Sequence, residues 1–347
     1  MRVRAILNPR AGVAPAAARR ALERGRPAWK DYAIYMTREP GHATELAREA
    51  VEAHADLVLA VGGDGTANEV AQGLLGSAAA LGIVPVGSGN GLARALRLPL
   101  RPAAALAALE AGVRRRIDVG RLNGGLFLNV AGAGFDAAVG GAFHRAGRNG
   151  RRRGFLGYAR LSLAEVFRYR ALPLRVEAGD QSLESRPFVL TFANGPQYGS
   201  GAVINPGARL DDGRLEVVLF DETSLLGVLA AAPRMFLGGI ERAPRYRRLA
   251  GSRVTITADE PLPIHRDGDP AEPQTRLEVV VVPRALDVVV PAATVADPSG
   301  PFVCSFIDPR SFIDPPTYPP PRRGEGHLWA RSLSLCSSTP HPYPLPT

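Results

Sequence analysis

Two segments constrain the fold more than any others. Leu57 to Val61 is an apolar, β-branched run that passes directly into Gly62-Gly63-Asp64-Gly65-Thr66, with helix-forming residues from about Asn68. Ile83-Val84-Pro85-Val86 repeats the plan, passing into Gly87-Ser88-Gly89-Asn90-Gly91 and then Leu92-Ala93-Arg94-Ala95-Leu96. A strand that ends in a glycine turn and restarts as a helix is the building unit of a parallel α/β sheet. Glycines let the backbone turn sharply and approach a ligand closely, and the free N–H groups at the start of the next helix favour phosphate. Two such turns on neighbouring strands belong side by side at the carboxyl edge of the sheet, where open α/β sheets bind ligands.

The pattern extends over the first third of the chain. Strands are expected at Arg4 to Leu7, Tyr32 to Met36, Leu57 to Val61 and Gly82 to Val86. Helices are expected at Pro15 to Arg24, His42 to Ala53, Asn68 to Leu75, Gly91 to Leu96 and Pro102 to Ala111. Neither glycine turn continues as GxxxxGK followed by Ser or Thr, and the single lysine, Lys30, lies outside both, which argues against a P-loop. The spaced glycines of a dinucleotide fingerprint are missing after the first strand, which leads instead into Asn8-Pro9-Arg10-Ala11-Gly12.

Beyond Arg116 the texture becomes strand-rich: Arg116 to Arg121, Leu126 to Ala131, Leu174 to Glu177, Phe188 to Phe192, Leu215 to Phe220, Val254 to Thr257, Leu277 to Val282 and Leu286 to Val290. Asn123-Gly124 is a hairpin signal, because both central residues of that turn need positive φ. Helical insertions are expected at Leu156 to Arg168 and Leu225 to Phe236. These features divide the chain into an α/β domain over 1–118, an antiparallel β domain over 119–291 and a Pro- and Ser-rich tail over 292–347 with no packed element.

A formal net charge of +9 points to anionic partners such as phosphate or an acidic lipid surface. Nucleic acid is not expected, since no basic motif is interleaved with aromatic residues and no zinc-ligand spacing occurs. Both cysteines, Cys304 and Cys336, lie in the tail, so no disulfide framework supports the main fold and a reducing, cytoplasmic setting is expected. The first residues hold too short an apolar run for an export signal, and the longest apolar stretch, about Leu225 to Ala232, is too short to cross a bilayer. Any membrane contact is therefore expected to be peripheral.

Taken together, these segments resemble the diacylglycerol kinase catalytic family, which includes bacterial lipid kinases and sphingosine kinases. The likeness runs through Asn8-Pro9 with Gly12, Thr37 with Pro40-Gly41-His42-Ala43, GGDGTANEV at 62–70 and GSGNGLARAL at 87–96. It continues through NVAGAGFD at 129–136, NGPQYG at 194–199, Leu210-Asp211-Asp212-Gly213 and Asp267-Gly268-Asp269-Pro270. The resemblance implies a Rossmann-like parallel α/β domain of the NAD kinase and diacylglycerol kinase type, followed by an antiparallel β-sandwich. It also implies an ATP- and Mg²⁺-dependent transfer of phosphate to a hydroxyl of a membrane lipid at the inner face of the membrane. The sequence does not fix the oligomeric state, and a homodimer would be unsurprising.

Residue by residue, the resemblance implies nucleotide contacts at Asn8, Pro9, Gly12, Thr37, Gly62, Gly63, Asp64, Gly65, Thr66, Ala67, Asn68, Glu69, Gly87, Ser88, Gly89 and Asn90. Asp64 would stand at the phosphates and Mg²⁺. Asp212, with the backbone carbonyls of Arg209 and Arg214, is similar to a structural Mg²⁺ site. Asp136 resembles the acidic residue that some relatives place at the lipid headgroup. Asp267 and Asp269 resemble the family's Asp-Gly-Glu carboxylates by the γ-phosphate, with Asp in place of Glu, and either one is a candidate base. Gly91 follows Asn90 where many diacylglycerol kinases carry Asp, which leaves the lipid class open. The basic runs Arg148 to Arg153 and Arg242 to Arg248 are either headgroup contacts or solvated loops. Two other readings are an NAD kinase, which shares the Gly-Gly-Asp-Gly turn, and a non-catalytic nucleotide-binding regulator.

Overall fold

The computed structural model describes residues 1–12, 15–24, 29, 31–148, 169–221 and 225–294. The apolar runs of the first third form parallel strands β1 (Arg2–Leu7), β2 (Asp31–Met36), β3 (Leu57–Gly62) and β4 (Ala80–Pro85), in spatial order β2-β1-β3-β4. Every residue of β3 and β4 is buried, as central parallel strands covered on both faces require. Helices α1 (Pro15–Arg24), α2 (His42–Glu52), α3 (Asp64–Leu74), α4 (Gly91–Ala95) and α5 (Pro102–Glu110) follow the strands, with α2 packed on α3 and α1 on α5. One boundary differs in a way that matters. Helix α3 starts at Asp64 rather than near Asn68, because Gly63 is extended (φ −94°) and its carbonyl already accepts the Ala67 N–H at 3.0 Å. The Asp-Gly-Thr segment is therefore the first turn of a helix, with its N–H groups still available.

The β region begins with β5 (Val113–Leu122) and β6 (Gly125–Phe127), joined by the expected hairpin with Asn123 at φ 47° and Gly124 at φ 80°. The strand expected over Leu126 to Ala131 is two strands, β6 and β7 (Val130–Gly134). The ladder breaks at Leu128 and Asn129 because the N–H groups of Leu128, Asn129 and Val130 turn to the Asp267 carboxylate. After α6 (Phe135–Arg148) come β8 (Leu174–Ala178), β9 (Gln181–Ser185), β10 (Pro187–Ala193) and β11 (Leu215–Asp221). Then follow α7 (Leu225–Leu237), β12 (Tyr246–Gly251), β13 (Arg253–Arg266) and β14 (Asp269–Val290).

Strands β13 and β14 build the sandwich by changing partners along their length. The start of β13 pairs with β8 and its end with β7, across register shifts between Thr257 and Ile264. The two runs expected at Leu277 to Val282 and Leu286 to Val290 are one strand of 22 residues, bent between Val282 and Leu286 where Arg284 has φ 50°. Such bends are how strands pass from one sheet of a sandwich to the other. The end of β14 returns to the first third of the chain, where Val288 pairs in parallel with Leu81 of β4. Accordingly Leu286, Val288, Val289 and Val290 belong to the core of the α/β region.

Alternation along β11 shows the layering. Leu215, Val217 and Leu219 enter the core between the sandwich sheets, whereas Val218 and Phe220 enter a separate core with Ile204, Ala231 and Tyr246. The segments expected to form a helix at 156–168 and a basic loop at 149–153 lie outside the described residues, as does the tail from 295. Among the described residues no helix is long and apolar enough to cross a membrane.

Candidate active site

The two glycine turns meet as the sequence predicts. A Cβ placed on Gly87 would stand 2.5 Å from the Gly63 Cα, so the backbones touch only because side chains are absent at both positions. Asp64 crosses the contact: its carboxylate accepts the N–H of Gly91 at 3.0 Å and of Leu92 at 3.1 Å, capping α4 from the start of α3. Burial raises the Asp64 carboxyl above its usual range, and the amides of Gly91, Leu92 and Asn90 oppose that rise. Asn90 closes its own turn, accepting from Gly87 N–H at 3.0 Å and donating to Gly87 O at 2.8 Å.

Asn8 and Thr37 continue the edge from β1 and β2. Asn8 donates to Thr66 Oγ1 at 3.0 Å and accepts the Arg10 N–H at 2.9 Å, while Thr37 N–H bonds to Leu7 O at 2.9 Å. The loop carrying Pro9 packs Gly12 (φ 68°) on the Val86 carbonyl. Ser88 is exposed, and its carbonyl accepts the Ser200 hydroxyl at 3.3 Å. Thus Asn8, Thr37, Gly62 to Thr66 and Gly87 to Asn90 gather at the carboxyl ends of four parallel strands. Three residues of the same motif are turned to the protein instead. Ala67 is buried, Glu69 accepts the Ala43 N–H at 3.2 Å at the start of α2, and Asn68 donates to Leu126 O at 3.1 Å and Asp267 Oδ2 at 2.8 Å.

The β13–β14 turn brings two carboxylates to this edge in different states. Asp267 (φ 50°) is half-buried and held by four donors: Asn68 Nδ2, Leu128 N at 2.7 Å, Asn129 N at 2.9 Å and Val130 N at 3.1 Å. Burial pushes its carboxyl up to about 6, against the Leu128 and Asn129 amides and the Asn68 side chain. Asp269, two residues on, is exposed and faces α3: a Cβ on Gly65 would stand 2.9 Å from Asp269 Oδ2. The sequence names both acids without distinguishing them, whereas the donors around Asp267 do so at once.

Asp136 lies in the first turn of α6. Its Oδ1 accepts the Ala137 N–H at 2.8 Å, and its Oδ2 takes the Tyr198 hydroxyl at 2.9 Å and His265 Nε2 at 3.2 Å. Beside it Phe135 stacks on Phe188 with ring centres 4.3 Å apart, and Tyr169 meets both edge-on. Burial, then the Asp136 charge, raises the Tyr169 hydroxyl well above its usual range. Tyr198 and His265 were given no role from sequence, although both sit inside motifs already singled out, NGPQYG and the His-Arg-Asp-Gly-Asp run. Sequence spacing holds no signal that they converge on Asp136.

At the Leu-Asp-Asp-Gly turn, Asp211 is paired with Arg115 and Arg209; burial works against ionisation there, but the two guanidinium groups hold its carboxyl below the usual range. Asp212 is the open member. Burial and the neighbouring Asp118 raise it, the Arg214 N–H bonds it at 3.0 Å, and burial and Asp212 in turn raise Glu216. Carboxylate oxygen is a hard donor of the kind Mg²⁺ takes, so the chemistry of Asp212 is compatible with the cation that the family resemblance implies here. Among the described residues no three His, Cys, Asp or Glu side chains form a metal-binding group. The basic run at 242–248 is largely spoken for: Arg247 pairs with Asp221, Arg248 reaches Asn205 Oδ1 at 3.3 Å and Arg242 lies 3.8 Å from Glu241.

Comparison with known proteins places this geometry. Residues 2–122 match the family model described as the diacylglycerol kinase catalytic domain, and residues 129–290 match the YegS C-terminal NAD kinase beta sandwich-like domain. The chain belongs to the diacylglycerol kinase-like lipid kinase family. It is 36% identical over 282 residues to a Pseudomonas aeruginosa protein named "Probable lipid kinase YegS-like", covering 80% of this chain and 90% of that one. It is 32% identical over 299 residues to a Mycobacterium tuberculosis diacylglycerol kinase, covering 84% and 95%. A crystal structure of a diacylglycerol kinase from Bacillus anthracis superposes with TM-score 0.66 at 22% identity, covering 84% of this chain and 98% of that one, which shows the shared fold. The α/β domain and β-sandwich expected from the family are thus present in this member.

Proposed function

We propose that this protein transfers the γ-phosphate of ATP to a hydroxyl of a membrane lipid, in the cleft where the start of α3 faces the β13–β14 turn. The observation that carries this reading is the placement of Asp269 Oδ2 against Gly65, within the first turn of a helix whose free N–H groups suit a phosphate. Asp269 accepts the proton of the lipid hydroxyl as that oxygen bonds to the γ-phosphorus, and the bond to the β–γ bridging oxygen breaks to leave ADP. Asp267 orients the turn, and Asp64 holds the two glycine turns together.

Mg²⁺, when bound, neutralises charge on the transferring phosphates. Asp64 is suited to hold it through water, since the amides of Gly91, Leu92 and Asn90 take three of about four lone-pair sites on its carboxylate. A second Mg²⁺ at Asp212 and the Arg209 and Arg214 carbonyls supports the fold. Asp136 offers the headgroup an acceptor, and the Phe135, Phe188 and Tyr169 rings beside it offer an apolar surface to the chains. A lipid acceptor places the enzyme peripherally on the cytoplasmic face of the membrane.

The test is incubation of purified protein with γ-labelled ATP, mixed vesicles of diacylglycerol, sphingoid base and polyprenol, and free NAD. Label in an extractable lipid is the expected result. Label only in NADP, or in no acceptor, overturns the proposal.

A further inference from the structure

His265 is 4% exposed and sits on β13 between Gly132 of β7 and Pro270 of β14. Its Nδ1 accepts the Gly268 N–H at 3.2 Å, so the ring proton resides on Nε2. That nitrogen faces Asp136 Oδ2 at 3.2 Å, the same oxygen that accepts the Tyr198 hydroxyl at 2.9 Å. Tyr198 is braced in turn by Thr191. The space is reserved for this contact: a Cβ on Gly132 would stand 2.2 Å from Asp136 Oδ2 and 2.7 Å from His265 Nε2. A carboxylate has about four lone-pair sites. Among the described residues, Tyr198, His265 and the Ala137 N–H take three of these on a side chain that is 11% exposed.

The ring therefore has a different partner on each side. One side holds the carboxylate at the aromatic, acceptor-facing wall. The other holds the N–H of Gly268, the residue between Asp267 and Asp269. Asp267 is fixed independently by its four donors, but Asp269 lies beyond Gly268 (φ 91°), where the backbone has no Cβ to limit it. The bond to the Gly268 N–H restrains the turn one residue before Asp269, which itself pairs with Arg266 across the hairpin.

We infer that His265 is a positioning residue that joins Asp136 to the Asp267-Gly268-Asp269 turn, fixing the acceptor-side carboxylate and the Gly65-facing carboxylate in one register. The inference rests on the lipid kinase reading for its catalytic consequence. It concerns acceptor alignment, so ATP binding at the two glycine turns is left alone. Misplacement of reacting groups by about an ångström costs on the order of 100-fold in rate, and loss of one indirect restraint is expected to cost at least about tenfold.

The experiment compares full-length wild type with His265→Phe, His265→Gln and Asp136→Asn, alone and combined, in the labelled-ATP assay on diacylglycerol and sphingoid vesicles. His265→Phe removes both bonds, and it is expected to lower kcat at least about tenfold and raise the lipid KM while the ATP KM stays within about twofold. His265→Gln, which retains one donor and one acceptor, recovers part of that loss. Combining His265→Phe with Asp136→Asn adds little beyond the larger single effect, because both break one chain of contacts. Unchanged kcat and lipid KM in His265→Phe, or full additivity with Asp136→Asn, overturns the inference.

A second measurement needs neither activity nor a folded variant of His265. Imidazole ¹⁵N NMR of wild type is expected to show His265 as the Nε2–H tautomer, with that resonance displaced in Asp136→Asn. An Nδ1–H tautomer, or no displacement, overturns the bridge. If wild type phosphorylates no lipid while the tautomer is as expected, the lipid kinase reading fails and the bridge stands.

Discussion

The Asp267 and Asp269 carboxylates are two residues apart, carry the same side chain and come from one turn, yet the fold treats them oppositely. Asp267 is held by four donors and raised by burial to about 6, while Asp269 is exposed and aimed across the cleft at Gly65. Asp64 and Asp136 also differ in what surrounds them: Asp64 bridges the two glycine turns through the amides of α4, while Asp136 joins Tyr198 and His265 beside the aromatic rings. Acidity in a motif therefore does not identify the chemical group. The place of each carboxylate and the surface it faces do.

If the division is real, Asp267→Ala has the largest structural effect. It leaves three backbone N–H groups and the Asn68 amide without their acceptor, and urea denaturation is expected to show a loss of roughly 3–5 kcal/mol. A loss below about 1 kcal/mol would show that these donors find other partners.

The next effect is in pH dependence. The Asp267 carboxyl is raised from 3.8 in the unfolded chain to about 6 in the folded one, so the folded state holds the proton more tightly. The stability from that proton is complete below about pH 4 and is lost as pH rises through about 6, a change of at most about 3 kcal/mol. Denaturation across that window is expected to show a steeper slope in wild type than in Asp267→Ala. A parallel pair of curves would remove the buried-acid description.

Asp64→Ala takes the acceptor from the first amides of α4, at an expected cost of about 1–2 kcal/mol by the same denaturation assay, with the ATP KM raised. The smallest effect belongs to the separate turn at Asp212. Mg²⁺ is expected to raise the melting temperature of wild type by more than that of Asp212→Asn, which retains only the Asp64 site, since a ligand bound by the folded state stabilises it. An equal rise in both proteins would discard that cation site.

Much of the fold was legible because apolar runs and glycine turns carry their own signal. The strands of the α/β region, the hairpin at Asn123-Gly124 and the pairing of the two glycine turns all follow from local pattern. The start of α3 was misplaced because Asp64-Gly65 reads as a turn until the Gly63 carbonyl is seen bonding Ala67 N–H. Strands β9 and β12 escaped notice because their residues are largely polar or basic, with exposure set by position in the sheet rather than by alternation. Strand β14 was divided at Pro283-Arg284, where a bend looks like an ending. At the site, the motif positions were legible, but the roles of Asp267, Asn68 and Glu69 were not. Each depends on partners far along the chain, as with the 199 positions between Asn68 and Asp267.

The most direct test of this account is phosphate transfer by Asp269→Asn, measured with γ-labelled ATP and lipid vesicles beside a denaturation curve of the same protein. The account predicts a fall in kcat of roughly 10²–10⁴-fold with stability within about 0.5 kcal/mol of wild type. Full transfer activity in that variant would contradict the assignment of Asp269 as the carboxylate that takes the acceptor's proton.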